Sequence, residues 1–146
     1  MMRVPTKQKS PASVRRAHFS AGLALILGGL LALPGIAVLR MSHEIDLRWI
    51  CGYCILISVA TWVLYAREKR LAEAEQWRIP ENALHLAELL GGWPAAFVAQ
   101  RIHRHKIRKL PYQALFWLII AIHQYFALDF LRDWKISKRL LAFIKP

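Results

Sequence analysis

ALHLAELLGGWPAAFVA, residues 83–99, is the stretch on which the fold turns. It is apolar enough for a membrane helix, yet His85 and Glu88 interrupt it and Gly91-Gly92-Trp93-Pro94 breaks it. Pro94 has no amide to bond the carbonyl of Leu90, so a helix here must kink or reverse. A kink makes the segment a span; a reversal makes it re-entrant. Ala87, Gly91, Ala95 and Ala99 recur every four residues through the break, a smooth stripe along which another helix backbone can approach. That continuity favours one kinked helix over residues 83–102, with a re-entrant segment as the alternative.

Working outward, the flanks leave less choice. Residues 19–39, FSAGLALILGGLLALPGIAVL, carry no charge, and as a helix would reach roughly 32 Å against a hydrocarbon core of about 30 Å. Ser20, Ala24, Gly28 and Ala32 repeat the four-residue stripe of small side chains. Residues 49–65 are uncharged with Trp49 and Tyr65 at the ends, as interfacial anchoring favours. Residues 110–130 contain a third uncharged run, LPYQALFWLIIAIHQYFAL. The fold class expected is therefore all-α: a membrane helical bundle with about four transmembrane helices, over 19–39, 49–65, 83–102 and 110–130.

The net charge of +12 must be read against that pattern. In a soluble domain it would suggest nucleic acid; here the cations sit in the loops between apolar runs, as in a membrane protein. Lys and Arg number 5 before the first run, 2 in 40–48, 4 in 66–82, 5 in 100–109 and 5 after 130. Residues 1–18 read as a basic cytoplasmic tail rather than the leader of a cleaved signal, because the apolar run that follows is long for one. An N-inside start then puts 40–48 outside and 66–82 inside. Beyond that point the charge count is tied between a spanning and a re-entrant third segment. Residues 66–77 read as an extension of the second helix, with Lys69 and Glu73 one turn apart. Pro80 and Glu81 suit the first turn of the next helix. Residues 131–146 alternate apolar side chains with five cations, the pattern of an amphipathic helix at an interface.

Several constellations invite chemistry. Cys51-Gly52-Tyr53-Cys54 has the spacing of a reversible dithiol, but a membrane disulfide relay needs a second pair and the chain has 2 cysteines. Glu81, His85 and Glu88 form an i, i+4, i+7 stripe. Glu88 is deep enough to count as a functional candidate by cost alone, with His123 or Gln124 of the last span as expected partners for a proton or cation. RIHRHKIRK, residues 101–109, lacks the interleaved aromatics of a nucleic-acid surface, and His103-x-His105 lacks further ligands for a metal. Its position between two apolar segments matches it to anionic lipid head groups.

Four blocks together carry a resemblance: WRIPE (77–81), LHLAELLGGWPAA (84–96), AQRIHRHKIRK (99–109) and the apolar run after Tyr112. In these the chain resembles the bacterial integral membrane proteins classed as domain of unknown function 1294. Glu68 stands where that family usually has Asp, and Tyr112 where it has Phe. The resemblance implies an inner-membrane location and weight on Trp77, Arg78, Pro80, Glu81, Arg104, His105, Lys106 and Lys109, without implying an activity. Some relatives place a cold-shock domain ahead of the spans; residues 1–18 are too short for one.

The sequence therefore reads as a small multi-pass inner-membrane protein serving as a structural or interaction module, without catalysis, cofactor or metal. Its binding candidates are Trp77, Arg78, Glu81, Glu88, Arg104, His105, Lys106 and Lys109. Its expected partners are the bilayer with anionic head groups, and a second copy or another membrane protein; nucleic acid is disfavoured. The alternatives are a thiol–disulfide oxidoreductase using Cys51 and Cys54, and a small transporter or ion-conducting oligomer using Glu88 and His123.

Overall fold

The computed structural model describes residues 20–77, 79–103 and 109–144, and among them the chain is all-helical. Helices α1 (Ala21–Met41), α2 (Leu47–Glu73) and α5 (Leu110–Leu131) are each long and apolar enough to cross a membrane. Between α2 and α5 come α3 (Glu81–Ala87), a wide π-turn (Glu88–Gly92) and α4 (Trp93–His103); α6 (Lys135–Ile144) follows α5. The molecule is a membrane helical bundle with a C-terminal amphipathic helix. Its outer faces are apolar: Leu25, Trp49, Leu56 and Leu118 are all more than half exposed, as suits side chains that meet acyl chains.

Three helix starts have a side chain that caps them. The Ser20 hydroxyl accepts from the amide of Leu23, and the Asp46 carboxylate from that of Arg48. Asp129, wholly buried, accepts from the amides of Ile136 and Ser137 and so fixes the start of α6. The Lys69–Glu73 pair forms at 3.6 Å, and α2 ends at Glu73 rather than near Trp77, because Glu75 takes a left-handed turn (φ 53°).

Two prolines inside helices leave carbonyls without donors, and other helices supply them. Pro34 frees the carbonyl of Leu30, which accepts from the Gln124 amide at 2.6 Å, tying α1 to α5. Pro94 frees that of Leu90, which accepts from the Tyr53 hydroxyl at 2.7 Å. The donor that answers it thus comes from α2.

Residues 83–99 do not form the favoured single kinked helix; the chain takes the alternative and doubles back. Ile79 donates to Glu68, Glu81 meets Lys109 at 2.7 Å, and the ring of His103 lies 5.3 Å from that of Trp62. Both feet of the segment thus rest beside the C-terminal half of α2, while its tip reaches up to Tyr53. The reversal is made at Gly91, whose φ of 101° suits a residue without a Cβ. Gly92 follows it, so close to α2 that a Cβ there would collide with the Thr61 hydroxyl and the Ala87 carbonyl. The small-residue stripe is split accordingly: Ala87 and Ala99 are buried on opposite limbs, and the α1 stripe of Ser20, Ala24, Gly28 and Ala32 faces outward. The core lies where the hairpin meets α2 and α5, around Leu84, Trp93, Phe97 and Phe116, with Leu23, Leu27 and Leu30 of α1 packed against it.

Sidedness within the bundle follows. Arg40, ending α1, donates to the Leu131 carbonyl at 2.8 Å and pairs with Asp133, so α1 and α5 finish at the same end. The end of α2, both hairpin feet and the start of α5 gather at the other.

Candidate functional site

The deepest polar group of the hairpin organises its surroundings. Glu88 opens the π-turn and is wholly buried. One carboxylate oxygen accepts from the hydroxyls of Tyr65 on α2 and Tyr112 on α5, the latter at 2.9 Å. The other lies 2.7 Å from Nδ1 of His85, one turn earlier on α3. The two phenol oxygens are also in contact with each other. Tyr65 accepts from the Gln100 amide of α4 at 2.9 Å, and Gln113 of α5 donates to the Gln100 carbonyl at 2.7 Å. The His85 ring stacks on Tyr112 with centroids 4.2 Å apart.

Three helices, α2, α3 and α5, therefore converge on one carboxylate. A buried ion without partners would cost several kcal/mol, roughly, and three donors within reach offset that cost. The break at Gly91 separates two neighbours: before it Glu88 faces Tyr65, and after it Gly92 meets Thr61. Chemically, the group can hold a proton shared between imidazole and carboxylate, or act as a fixed anion that three helices grip.

At the feet, Lys109, the residue that precedes α5, reaches both carboxylate oxygens of Glu81 at 2.7 and 2.8 Å. Trp77, in the turn after α2, is 90% exposed. Arg78, Arg104, His105 and Lys106 lie outside the described residues. Nearby, the Arg101 guanidinium sits 3.3 Å over the Phe97 ring and donates to the Phe97 carbonyl. His103 is half-buried with its Nε2 unpartnered among the described residues. Burial, then the neighbouring Lys69 ammonium, hold its imidazole below the ordinary histidine range.

The structure brings together Glu81 with Lys109, and His85 with Glu88. It does not bring Glu88 to His123 or Gln124: His123 bonds the Ile119 carbonyl of its own helix, and Gln124 serves Leu30. The reason is the reversal, which turns Glu88 toward α2 and the start of α5 rather than the middle of α5. Cys51 and Cys54 are free and exposed, the fifth and eighth residues of α2 rather than its first turn. Sequence pattern does not link Glu88 to its partners Tyr65 and Tyr112, nor to Gln100 and Gln113 behind them. The available signal was the polarity of Gln100 and Gln113 at the margins of apolar runs; Tyr65 read only as an interfacial anchor.

Residues 58–112 match the model of a family described as "Protein of unknown function (DUF1294)". The resemblance read from the WRIPE, Gly-Gly and RHK blocks is thus supported over the segment that builds the Glu88 cluster. No curated protein and no solved structure matches the chain.

Proposed function

We propose that this chain, similar over its hairpin to an uncharacterised membrane family, is a small multi-pass protein of the bacterial inner membrane that works as an interaction module without catalysis. In this reading the hairpin is re-entrant. It enters from the cytoplasmic face, descends roughly 18 Å, about three-fifths of the hydrocarbon core, and returns. The N-terminus and the 66–82 and 100–109 loops lie inside, and the C-terminal helix lies outside. Glu88 serves as the latch that holds the hairpin in the bundle.

The observation that carries the reading is Trp77, a large aromatic side chain 90% exposed in the turn that follows α2. An exposed tryptophan outside the apolar spans is what a protein contact uses as an anchor. The internal carboxylate, by contrast, is consumed by its own neighbours. A photo-crosslinking residue at position 77 should give a discrete protein adduct in cells, and the same residue at lipid-facing position 49 should give none. No adduct at 77 would count against the module.

One observation favours a second reading. Glu81, His85 and Glu88 lie at i, i+4 and i+7 on the hairpin limb, and from His85 a chain of bonds runs through Glu88, Tyr65, Gln100 and Gln113. Such a ladder suits proton exchange with the feet. Proton flux in proteoliposomes that Glu88→Gln abolishes would favour it. The redox alternative predicts loss of function in Cys51→Ser or Cys54→Ser; an interaction module tolerates both.

A further inference from the structure

At the end of the bundle opposite the hairpin feet, two cavities flank the turn that links α5 to α6. The first, of about 550 Å³, is lined by Arg132, Lys135 and Arg139, with Leu131, Ile136 and Leu140 as its apolar wall. The second, of about 380 Å³, is almost wholly apolar and lies between α1 and α5, walled by Ala37, Met41, Phe126, Phe130 and Trp134. Arg132, Lys135 and Arg139 are exposed, and no side chain among the described residues pairs with them. The acid at the rim, Asp133, is already engaged by Arg40. Arg40 also lies over the Phe130 ring at 5.6 Å and donates to the Leu131 carbonyl, so the turn is braced between the cavities.

We propose that this paired site binds one anionic phospholipid, its phosphate in the cationic cavity and an acyl chain in the apolar groove between α1 and α5. The proposal rests on the reading that α1, α2 and α5 cross the bilayer, which puts this turn at the level of the head groups. Charge complementarity argues for the phosphate: three cations converge where one acid is already neutralised. The apolar cavity argues for a lipid over a free phosphate, because a small polyanion would leave it empty. The buried Asp129 fixes the spacing by accepting from Ile136 and Ser137, which sets α6 and its cations against the end of α5. The exposed Leu140, Leu141, Phe143 and Ile144 continue the apolar face along α6.

The test uses the full chain in mild detergent, observed by native mass spectrometry with phosphatidylglycerol or phosphatidylcholine of identical acyl chains. The wild type should retain phosphatidylglycerol selectively. Arg132→Gln/Lys135→Gln/Arg139→Gln should lower that retention at least roughly tenfold, while Arg67→Gln/Arg70→Gln at the opposite end should leave it unchanged. The single variant Arg139→Gln repeats the test with less change to the fold. Equal retention of the two lipids, an equal loss in the control variant, or displacement by equimolar glycerol phosphate would each overturn the proposal. Membrane fractionation of the same wild-type chain separates the two failures. A chain found in the membrane without lipid selectivity refutes the site alone; a chain that stays soluble without detergent refutes the spanning reading and the site with it.

Discussion

Glu88 concentrates the energetic stakes of this protein in one side chain. Its carboxylate takes hydroxyls from two helices and faces an imidazole from a third element, so its neighbours depend on it as much as it depends on them. Truncation in Glu88→Ala should cost about 3–5 kcal/mol, because it strands buried polar groups. Tyr65→Phe removes one hydroxyl and should cost about 1–2 kcal/mol. Denaturant titration in mixed micelles measures both; equal costs would mean that the carboxylate is not the hub. At the feet, His103 gives a pH signature. Its imidazole is held below the ordinary range in the folded chain, so the unfolded chain binds more protons in that interval. The contribution is complete above about pH 6.5 and is lost as the pH falls below it. His103→Gln should therefore flatten the acid side of the stability profile relative to wild type.

At the scale of elements, the reversal between α3 and α4 depends on two adjacent glycines with different duties. Gly91 supplies a backbone angle, and Gly92 supplies proximity to Thr61. Gly92→Ala should cost about 1–3 kcal/mol through overpacking. Thr61→Ala should not restore it, since the Ala87 carbonyl blocks the same space. Thermal unfolding of the single and double variants checks this; full rescue by Thr61→Ala would place the clash on the side chain alone. The prolines act similarly between elements. Gln124 and Tyr53 each answer a carbonyl that a proline has freed, so helix breaks become ties between helices.

For the whole molecule, the doubled-back segment leaves three long helices, so the two ends of the chain face opposite sides of the bilayer in the proposed arrangement. Reporter fusions at residues 75 and 105 should give the same side, and a fusion after 144 the other. Opposite sides for 75 and 105 would mean that the hairpin spans. Much of this was legible in the composition of the runs: uncharged stretches of membrane length, cations at their margins and an amphipathic tail. The Glu88 cluster was half legible. Its depth marked it, and the His85 spacing was visible as i, i+3, but Tyr65 is 23 and Tyr112 24 residues away, and no local pattern links them.

By itself the sequence determined that the chain is helical and carries stretches long and apolar enough to cross a membrane, because apolar length acts within a few residues. It also located the break at Gly91–Pro94, since glycine and proline restrict or free the backbone wherever they stand. Which way the chain leaves that break was decided only in three dimensions. Glycine and proline break the helix without selecting kink or reversal, and the choice fell to distant partners: Glu68 for Ile79, Lys109 for Glu81, and two tyrosines for one buried carboxylate.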